Sequence, residues 1–300
     1  MLVGGALRAG LFDALAVGPL SLEAIGRKLE ADQRALKIVL GALIALGYVT
    51  IKDKGYLMTS EADELFGRPG SSKYMGHSTH HALRLVERWL EIPEVIKSGK
   101  PDRRKRTAED REHFIGSMDA NAREVAPYVV ELCLKKLAGV KSVVDIGGGP
   151  GSYSKAFLNR GVKATLFDLP EVIELLKEYK NLEGVELMGG DFNVTLPPGP
   201  FDLAFLSNIT HIYGPEENKA LLKRVVNILS PKGSVAILDF VRGRSLSAPI
   251  FAVNMLVNTE NGGTWSEEEY LSWFEKAGFE EVGIFDIEPR DQQLILATKI

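Results

Sequence analysis

An α/β domain with a mostly parallel sheet, preceded by a small helical module, is the architecture this sequence predicts. Three observations carry that expectation. From Lys141 onward, apolar runs of strand length alternate with helical stretches, the pattern of a parallel sheet with helices on both faces. A glycine-rich turn, Asp145-Ile-Gly-Gly-Gly-Pro-Gly151, follows the first of these runs, where backbone N–H groups can approach a ligand that any Cβ would push away. The last two runs, 281–287 and 292–298, are joined by a connection too short for a parallel crossover, so they form an antiparallel hairpin at the sheet edge.

Composition narrows the function classes. The 300 residues are 45% hydrophobic and 25% charged, as in ordinary globular proteins, and are long enough to bury a sizeable core. A net charge of −4 gives no global attraction to nucleic acid or anionic membrane. The single cysteine, Cys133, cannot form an internal disulfide and fits a reducing compartment. No apolar run reaches the ~18 residues of a membrane span, and a cytoplasmic chain is expected.

Taken in order, residues 1–70 read as a winged helix. Gly4 to Val17 has apolar residues at helical spacing, Ser21 caps a second helix, and Asp32 caps a third with one apolar stripe ending near Gly47. Tyr48–Ile51 and Tyr56–Thr59 flank Asp53-Lys54-Gly55 as a hairpin. A DNA-binding regulator is the competing idea. The module carries eight Lys/Arg and eight Asp/Glu, however, and a DNA reader of this size is usually basic, so dimerisation is the expected role.

Residues 71–130 read as a helical linker. Its basic run over 97–111 suits a solvated face. His77, His80 and His81 have no obvious third partner ligand, so they are expected at the surface or as caps, and no metal is expected. Phe114, Met118 and Asn121 share a helical face with His113; core packing is the ordinary reading, and a pocket wall the functional one.

In residues 131–300 strands are expected at 141–147, 162–167, 184–188, 201–206 and 233–240, before the final hairpin. The glycine turn does not match the dinucleotide fingerprint, because Ser152 stands where the third glycine is needed. It lacks the lysine of a phosphate-binding loop as well. The motif that stands, Asp-x-Gly-x-Gly-x-Gly, resembles the first motif of class I methyltransferases that bind S-adenosylmethionine (SAM). This resemblance implies a Rossmann-like seven-stranded sheet with an antiparallel last strand, and assigns Asp145, Gly147, Gly149 and Gly151 to the cofactor. Asp168 closes the second strand, where a carboxylate can accept from both ribose hydroxyls. Asp191 can accept from the adenine amino group and Phe192 can cover the ring, although a turn residue beside a core Phe is the plainer reading.

Phe167-Asp-Leu-Pro170, Gly190-Asp-Phe192 and a histidine after the fourth strand narrow the resemblance. They look like the small-molecule O-methyltransferases of secondary metabolism, which carry an N-terminal winged-helix dimerisation domain. The resemblance covers nearly the whole chain. It implies a homodimer, a small aromatic acceptor, and S-adenosylhomocysteine as product. By match to the family pattern, Leu169 joins Asp168 at the cofactor, Ser207 meets the methionine part of SAM, His211 is the general base and Asp239 its carboxylate partner. Asn254, Met255 and Asn258 join Phe114, Met118 and Asn121 as acceptor-pocket residues. Two departures stand out. The family's His-Asp-Trp is His211-Ile212-Tyr213 here, and Gly262-Gly263-Thr264-Trp265-Ser266 lacks the acid that phenol-methylating members carry after a double glycine, with Glu260 nearby. Two alternatives therefore stay open: methylation of carbon or nitrogen by proximity alone, and a SAM-sensing winged-helix regulator.

Overall fold

A computed structural model describes residues 1–102, 107–177, 182–288 and 290–300. Arg103 to Arg106 of the basic run, and Pro289 of the final hairpin loop, lie outside the described residues. The chain divides into two compact units, Met1–Glu87 with Arg106–Ala120, and Arg88–Lys105 with Asn121–Ile300. This division cuts through the 71–130 segment expected to act as one linker.

The N-terminal elements are α1 (Leu2–Arg8), α2 (Leu11–Leu15), α3 (Leu22–Leu29), α4 (Gln33–Ala45), β1 (Val49–Lys52), β2 (Gly55–Met58) and the short α5 (Ser60–Ala62). The helix expected over 4–17 is broken, because Gly10 adopts φ +71° and restarts the chain as α2. Ser21 and Asp32 do cap α3 and α4, accepting from Ala24 N at 3.2 Å and Ala35 N at 2.8 Å. Asp53 and Lys54 both have positive φ, which gives the two-residue turn the twist that the β1–β2 hairpin needs. Phe12, Ile25, Leu40 and Leu43 are fully buried between these elements.

Next come α6 (Gly76–Trp89), α7 (Ile92–Ser98), α8 (Ala108–Ala122) and α9 (Ala126–Lys136). Within the first unit His77 and His80 are half-buried and make ring contacts with His113. His77 Nδ1 lies 3.0 Å from His113 Nδ1, and the His80 ring stacks on His113 with centroids 3.9 Å apart. Gly116 on α8 makes room for His77, whose ring a Cβ there would strike.

The second unit continues with β3 (Ser142–Ile146), α10 (Ser152–Asn159), β4 (Lys163–Asp168), α11 (Pro170–Leu176), β5 (Glu186–Gly189), β6 (Phe201–Ser207), α12 (Pro215–Asn227), β7 (Leu229–Asp239) and β8 (Val241–Arg242). It ends with α13 (Ala248–Asn258), β9 (Trp265–Ser266), α14 (Glu267–Ala277), β10 (Phe279–Ile287) and β11 (Gln292–Lys299). The seven-stranded sheet runs β10-β11-β7-β6-β3-β4-β5, and β11 alone is antiparallel to its neighbours. Its middle strands are apolar and buried on both faces, as helices above and below require. Strand order reverses between β3 and β6, which opens a crevice at the carboxyl ends where such sheets bind ligands. The ends of β3, β4, β6 and β7 deliver Gly147, Asp168, Ser207 and Asp239 to that edge. Among the described residues no helix is long and apolar enough to cross a membrane.

Asp202 ties the two strands flanking the crevice together at their opposite ends. Its Oδ2 accepts from Lys141 N at 2.9 Å, Ser142 N at 3.0 Å and Ser142 Oγ at 3.1 Å, and its Oδ1 accepts from Ser230 Oγ at 3.3 Å. Burial alone would raise this carboxyl, but the hydrogen bonds outweigh burial and hold it below the usual carboxylate range. Asp202→Asn is therefore expected to lower unfolding free energy by about 1 kcal/mol at neutral pH. A folded-state value below the unfolded one stabilises above about pH 4 and is lost as pH falls through the folded value. Urea titrations at neutral pH and near pH 3 check this: the gap to wild type should close on acidification, and a constant gap contradicts the assignment.

Candidate active site

The glycine turn is built where a side chain does not fit. Gly147, Gly149 and Gly151 have φ of +68°, +51° and +78°, in the left-handed region that favours glycine. A Cβ on Gly147 would run into the Ile209 side chain and come within 3.4 Å of Phe192, and one on Gly148 would lie 2.8 Å from Leu166 Cγ. Gly147 N donates to Phe167 O at 2.8 Å, which stitches the turn to the end of β4.

Asp145 and Asp168 meet this turn, Asp191 follows the end of β5, and each is used differently. Asp145 is fully buried; Ser154 Oγ donates to its Oδ2 at 2.6 Å, while Oδ1 has no partner among the described residues. Burial pushes its pKa up to about 7, against the pull of the Ser154 hydrogen bond. Asp168 accepts from Gly149 N at 2.8 Å through Oδ2 and from Leu169 N at 2.7 Å through Oδ1. Burial raises it too, opposed by these two backbone donors. Its first task is thus to hold the glycine turn, leaving one lone pair on each oxygen for a ligand. Asp191 accepts from Asn193 N at 2.8 Å in a local turn. Phe192 is buried in the core, edge-on to Tyr213 with centroids 5.7 Å apart. Ser207 accepts from Asn208 Nδ2 at 2.9 Å, and Gln292 Nε2 anchors Asn208 Oδ1 at 2.8 Å from β11.

His211 sits on a single 3₁₀ turn, Thr210–Ile212, and is 7% exposed. Its Nδ1 lies 2.8 Å from Asp239 Oδ1, the last residue of β7. An anionic Asp239 can only accept, so Nδ1 carries the hydrogen and the lone pair is on Nε2. Nε2 makes no hydrogen bond to the described residues. Asp239 is completely buried and accepts from Thr210 Oγ1 at 2.6 Å, Phe240 N at 2.9 Å and His211 N at 3.1 Å as well. Burial by itself would raise Asp239, but the charge and hydrogen bond of His211, with the other donors, outweigh it and hold it below the ordinary range. Phe251 packs edge-on against the imidazole at 4.8 Å, and Phe240 backs Phe251 at 4.5 Å.

The double glycine serves the backbone here. Gly263 N donates to His211 O at 2.9 Å, and a Cβ on Gly262 would strike the His211 carbonyl. Thr264 donates to Ala248 O at 3.3 Å and Trp265 Nε1 to Thr210 O at 2.9 Å, while Glu260 is exposed. Asp239 is accordingly the one carboxylate hydrogen-bonded to His211 among the described residues.

The expected acceptor residues are divided between the units. Asn254, Met255 and Asn258 share α13 with Phe251. Asn254 Oδ1 accepts from Trp89 Nε1 at 3.2 Å and from Asn258 Nδ2 at 3.0 Å, and Met255 is buried. Phe114 and Met118 belong to the first unit, where Phe114 meets His81 edge-on at 5.5 Å; Asn121 is exposed and belongs to the second. Sequence reading missed Thr210, Tyr270, Asn208 and Gln292. Their partners lie up to 84 residues away, so no local pattern marks them.

These residues fit SAM on two counts: a buried carboxylate oxygen on Asp145 without a donor among the described residues, and spare acceptor capacity on Asp168. Comparison with known proteins agrees. The O-methyltransferase domain family matches residues 93–280. The chain is 28% identical over 304 residues to the tetracenomycin polyketide synthesis 8-O-methyl transferase of Streptomyces glaucescens, covering 92% of this chain and 86% of that one. It is also 28% identical to the 3-hydroxy-5-methyl-1-naphthoate 3-O-methyltransferase of Streptomyces sahachiroi over 92% of this chain and 85% of the relative. The fold matches human N-acetylserotonin methyltransferase in complex with SAM, with a TM-score of 0.78 at 22% identity, over 99% of this chain and 93% of that one. None of these comparisons supports the regulator alternative. The chain belongs to the O-methyltransferase domain family and is a SAM-dependent methyltransferase.

Proposed function

We propose that this enzyme methylates a hydroxyl of a small aromatic molecule, with His211 as the base that removes the hydroxyl proton. The observation that carries the reading is the buried His211–Asp239 pair, with Nδ1 committed to Asp239 and Nε2 without a partner among the described residues. The two Streptomyces relatives, named for polyketide and naphthoate O-methylation, support an aromatic hydroxyl as acceptor. The aromatic surroundings of His211, Phe251 and Phe240, suit a planar apolar ring as well.

When bound, SAM supplies a methyl group already activated by its sulfonium. The chain's own residues then have two tasks: to hold the donor in place and to make the acceptor oxygen nucleophilic. Gly147, Gly149 and Gly151 present backbone at close range, Asp168 offers its spare lone pairs to the ribose hydroxyls, and Leu169 follows it. Asp191 and Phe192 serve the adenine, Ser207 and Asp145 the methionine end. A phenol titrates near pH 10 and is mostly neutral at pH 7, so a positioned base raises its reactivity. Asp239 keeps the imidazole in the tautomer that leaves Nε2 free and stabilises the imidazolium that forms. Within the second unit, Asn254, Met255 and Asn258 of α13 are assigned to the acceptor.

The charge-balanced N-terminal module, with eight basic and eight acidic side chains in residues 1–70, suits a protein–protein contact better than a phosphate backbone. We assign it to homodimerisation, with no nucleic-acid or membrane partner, in a cytoplasmic enzyme whose one cysteine, Cys133, is buried.

Calorimetry checks the donor site: Asp168→Ala should weaken SAM binding by about 1.5–3 kcal/mol, as expected for hydrogen bonds to a charged group. Unchanged affinity removes Asp168 from the ribose. With hydroxynaphthoate acceptors, His211→Ala should cut turnover by about 10²–10⁴ at unchanged SAM affinity. Wild-type rate should rise with pH as His211 loses its proton, and Asp239, held ionised, adds no limb of its own in that range. Turnover within about tenfold of wild type, with the same profile, would make His211 a pocket wall and favour carbon or nitrogen methylation by proximity. Light scattering at micromolar concentration should give about twice the 32.9 kDa chain mass, and a monomer there removes the dimer.

A further inference from the structure

Behind the His211–Asp239 pair runs a hydrogen-bonded chain that the function proposed above does not use. Thr210 Oγ1 lies 2.6 Å from Asp239 Oδ2 and 2.7 Å from the hydroxyl of Tyr270 on α14. Chemistry fixes the direction of both bonds. Threonine has one hydroxyl hydrogen, and a carboxylate can only accept, so that hydrogen points to Asp239. Tyr270 must then donate to Thr210. Burial pushes its phenol well above the ordinary value, so it keeps its proton.

The arrangement is held from three elements. The Thr210 carbonyl accepts from Trp265 Nε1 of β9 at 2.9 Å and from Asn218 Nδ2 of α12 at 2.9 Å, while Tyr270 reaches the hydroxyl from α14. Thr210 is 1% exposed and Tyr270 is fully buried. Apolar packing alone would be better served by valine and phenylalanine here, since two buried hydroxyls cost free energy unless both are bonded.

We propose that Thr210 and Tyr270 are positioning residues for methyl transfer, which act through Asp239 to set how strongly His211 holds its proton. This rests on His211 being the base. The Thr210 bond draws on the negative charge of the carboxylate most strongly when the imidazole is neutral, because Asp239 then has no cation to share it with. Losing that bond destabilises the neutral pair more than the charged pair, so His211 becomes harder to deprotonate. Losing the carboxylate itself has the opposite sign, because the imidazolium loses its counter-charge. Other groups around the pair do not compete. Phe251 faces the imidazole from α13, Asn218 approaches from α12, and Glu269, beside Tyr270, is bonded to Ser266 N and Arg242.

The test is proton NMR titration of the imidazole Cε1–H signals of the full-length protein, with the His211 signal identified by its loss in His211→Ala. Thr210→Val should raise the His211 midpoint by about one pH unit, and Tyr270→Phe should raise it by less. Thr210→Ser should restore the wild-type value, and Asp239→Asn should lower it. With a hydroxynaphthoate acceptor, Thr210→Val should lose kcat at neutral pH, regain it at higher pH, and keep its KM for SAM. If Thr210→Val does not fold, Tyr270→Phe carries the same sign with Thr210 in place. Midpoints unmoved in Thr210→Val and Tyr270→Phe overturn the proposal and leave the base assignment standing. An unaltered rate in His211→Ala removes both.

Discussion

A backbone that tolerates no side chain at the end of β3 is the constraint on which the rest of this structure depends. Three left-handed glycines turn the chain from the central strand into α10. The space beside them is taken by Ile209, Phe192 and Leu166, which come from three different strand ends. The turn can close only because the parallel sheet brings those ends to one edge, and the edge stays in register because β3 pairs with both β4 and β6. Fold and ligand cradle are therefore the same object, and a change in either alters the other.

The buried acids follow from this geometry. A carboxylate withdrawn from water is costly unless it is bonded or paired, and the three at the sheet edge meet that cost to different degrees. Asp239 is bonded on both oxygens and faces an imidazole, so it stays charged below the ordinary range. Asp168 is partly offset by two backbone donors, and its pKa drifts upward. Asp145 has one donor and one bare oxygen, and burial carries it up to about 7. The gradient follows the donors: the acid with the most hydrogen bonds and a neighbouring imidazole stays lowest, and the acid with a single donor rises furthest.

The departures from the family pattern gain a physical meaning in the same frame. Gly262 and Gly263 have a backbone role in this chain: a Cβ on Gly262 would strike the His211 carbonyl, to which Gly263 N donates. In this chain a tryptophan and a threonine occupy that stretch and bond to backbone carbonyls, Trp265 reaching the carbonyl of Thr210. The imidazole is held by one carboxylate, one aromatic edge and a rigid turn.

Much of this was legible in the sequence, because it rests on short-range regularities. Alternation of apolar runs placed the strands to within a few residues, a four-residue connection implied the antiparallel hairpin, and Ser21 and Asp32 announced their caps. The glycine turn stood out by its composition and Asp168 by its place after a strand, whereas His211 and Asp239 were marked by their match to the family pattern. Tertiary structure decided what those groups do to one another. It spent Asp168 first on the glycine turn, set Thr210 and Tyr270 behind Asp239, and brought the rings of His77 and His80 onto His113. It also divided residues 71–130 between two units. Such outcomes depend on contacts between residues tens of positions apart, and a hydrogen bond or ring contact at that separation leaves no periodicity in the chain.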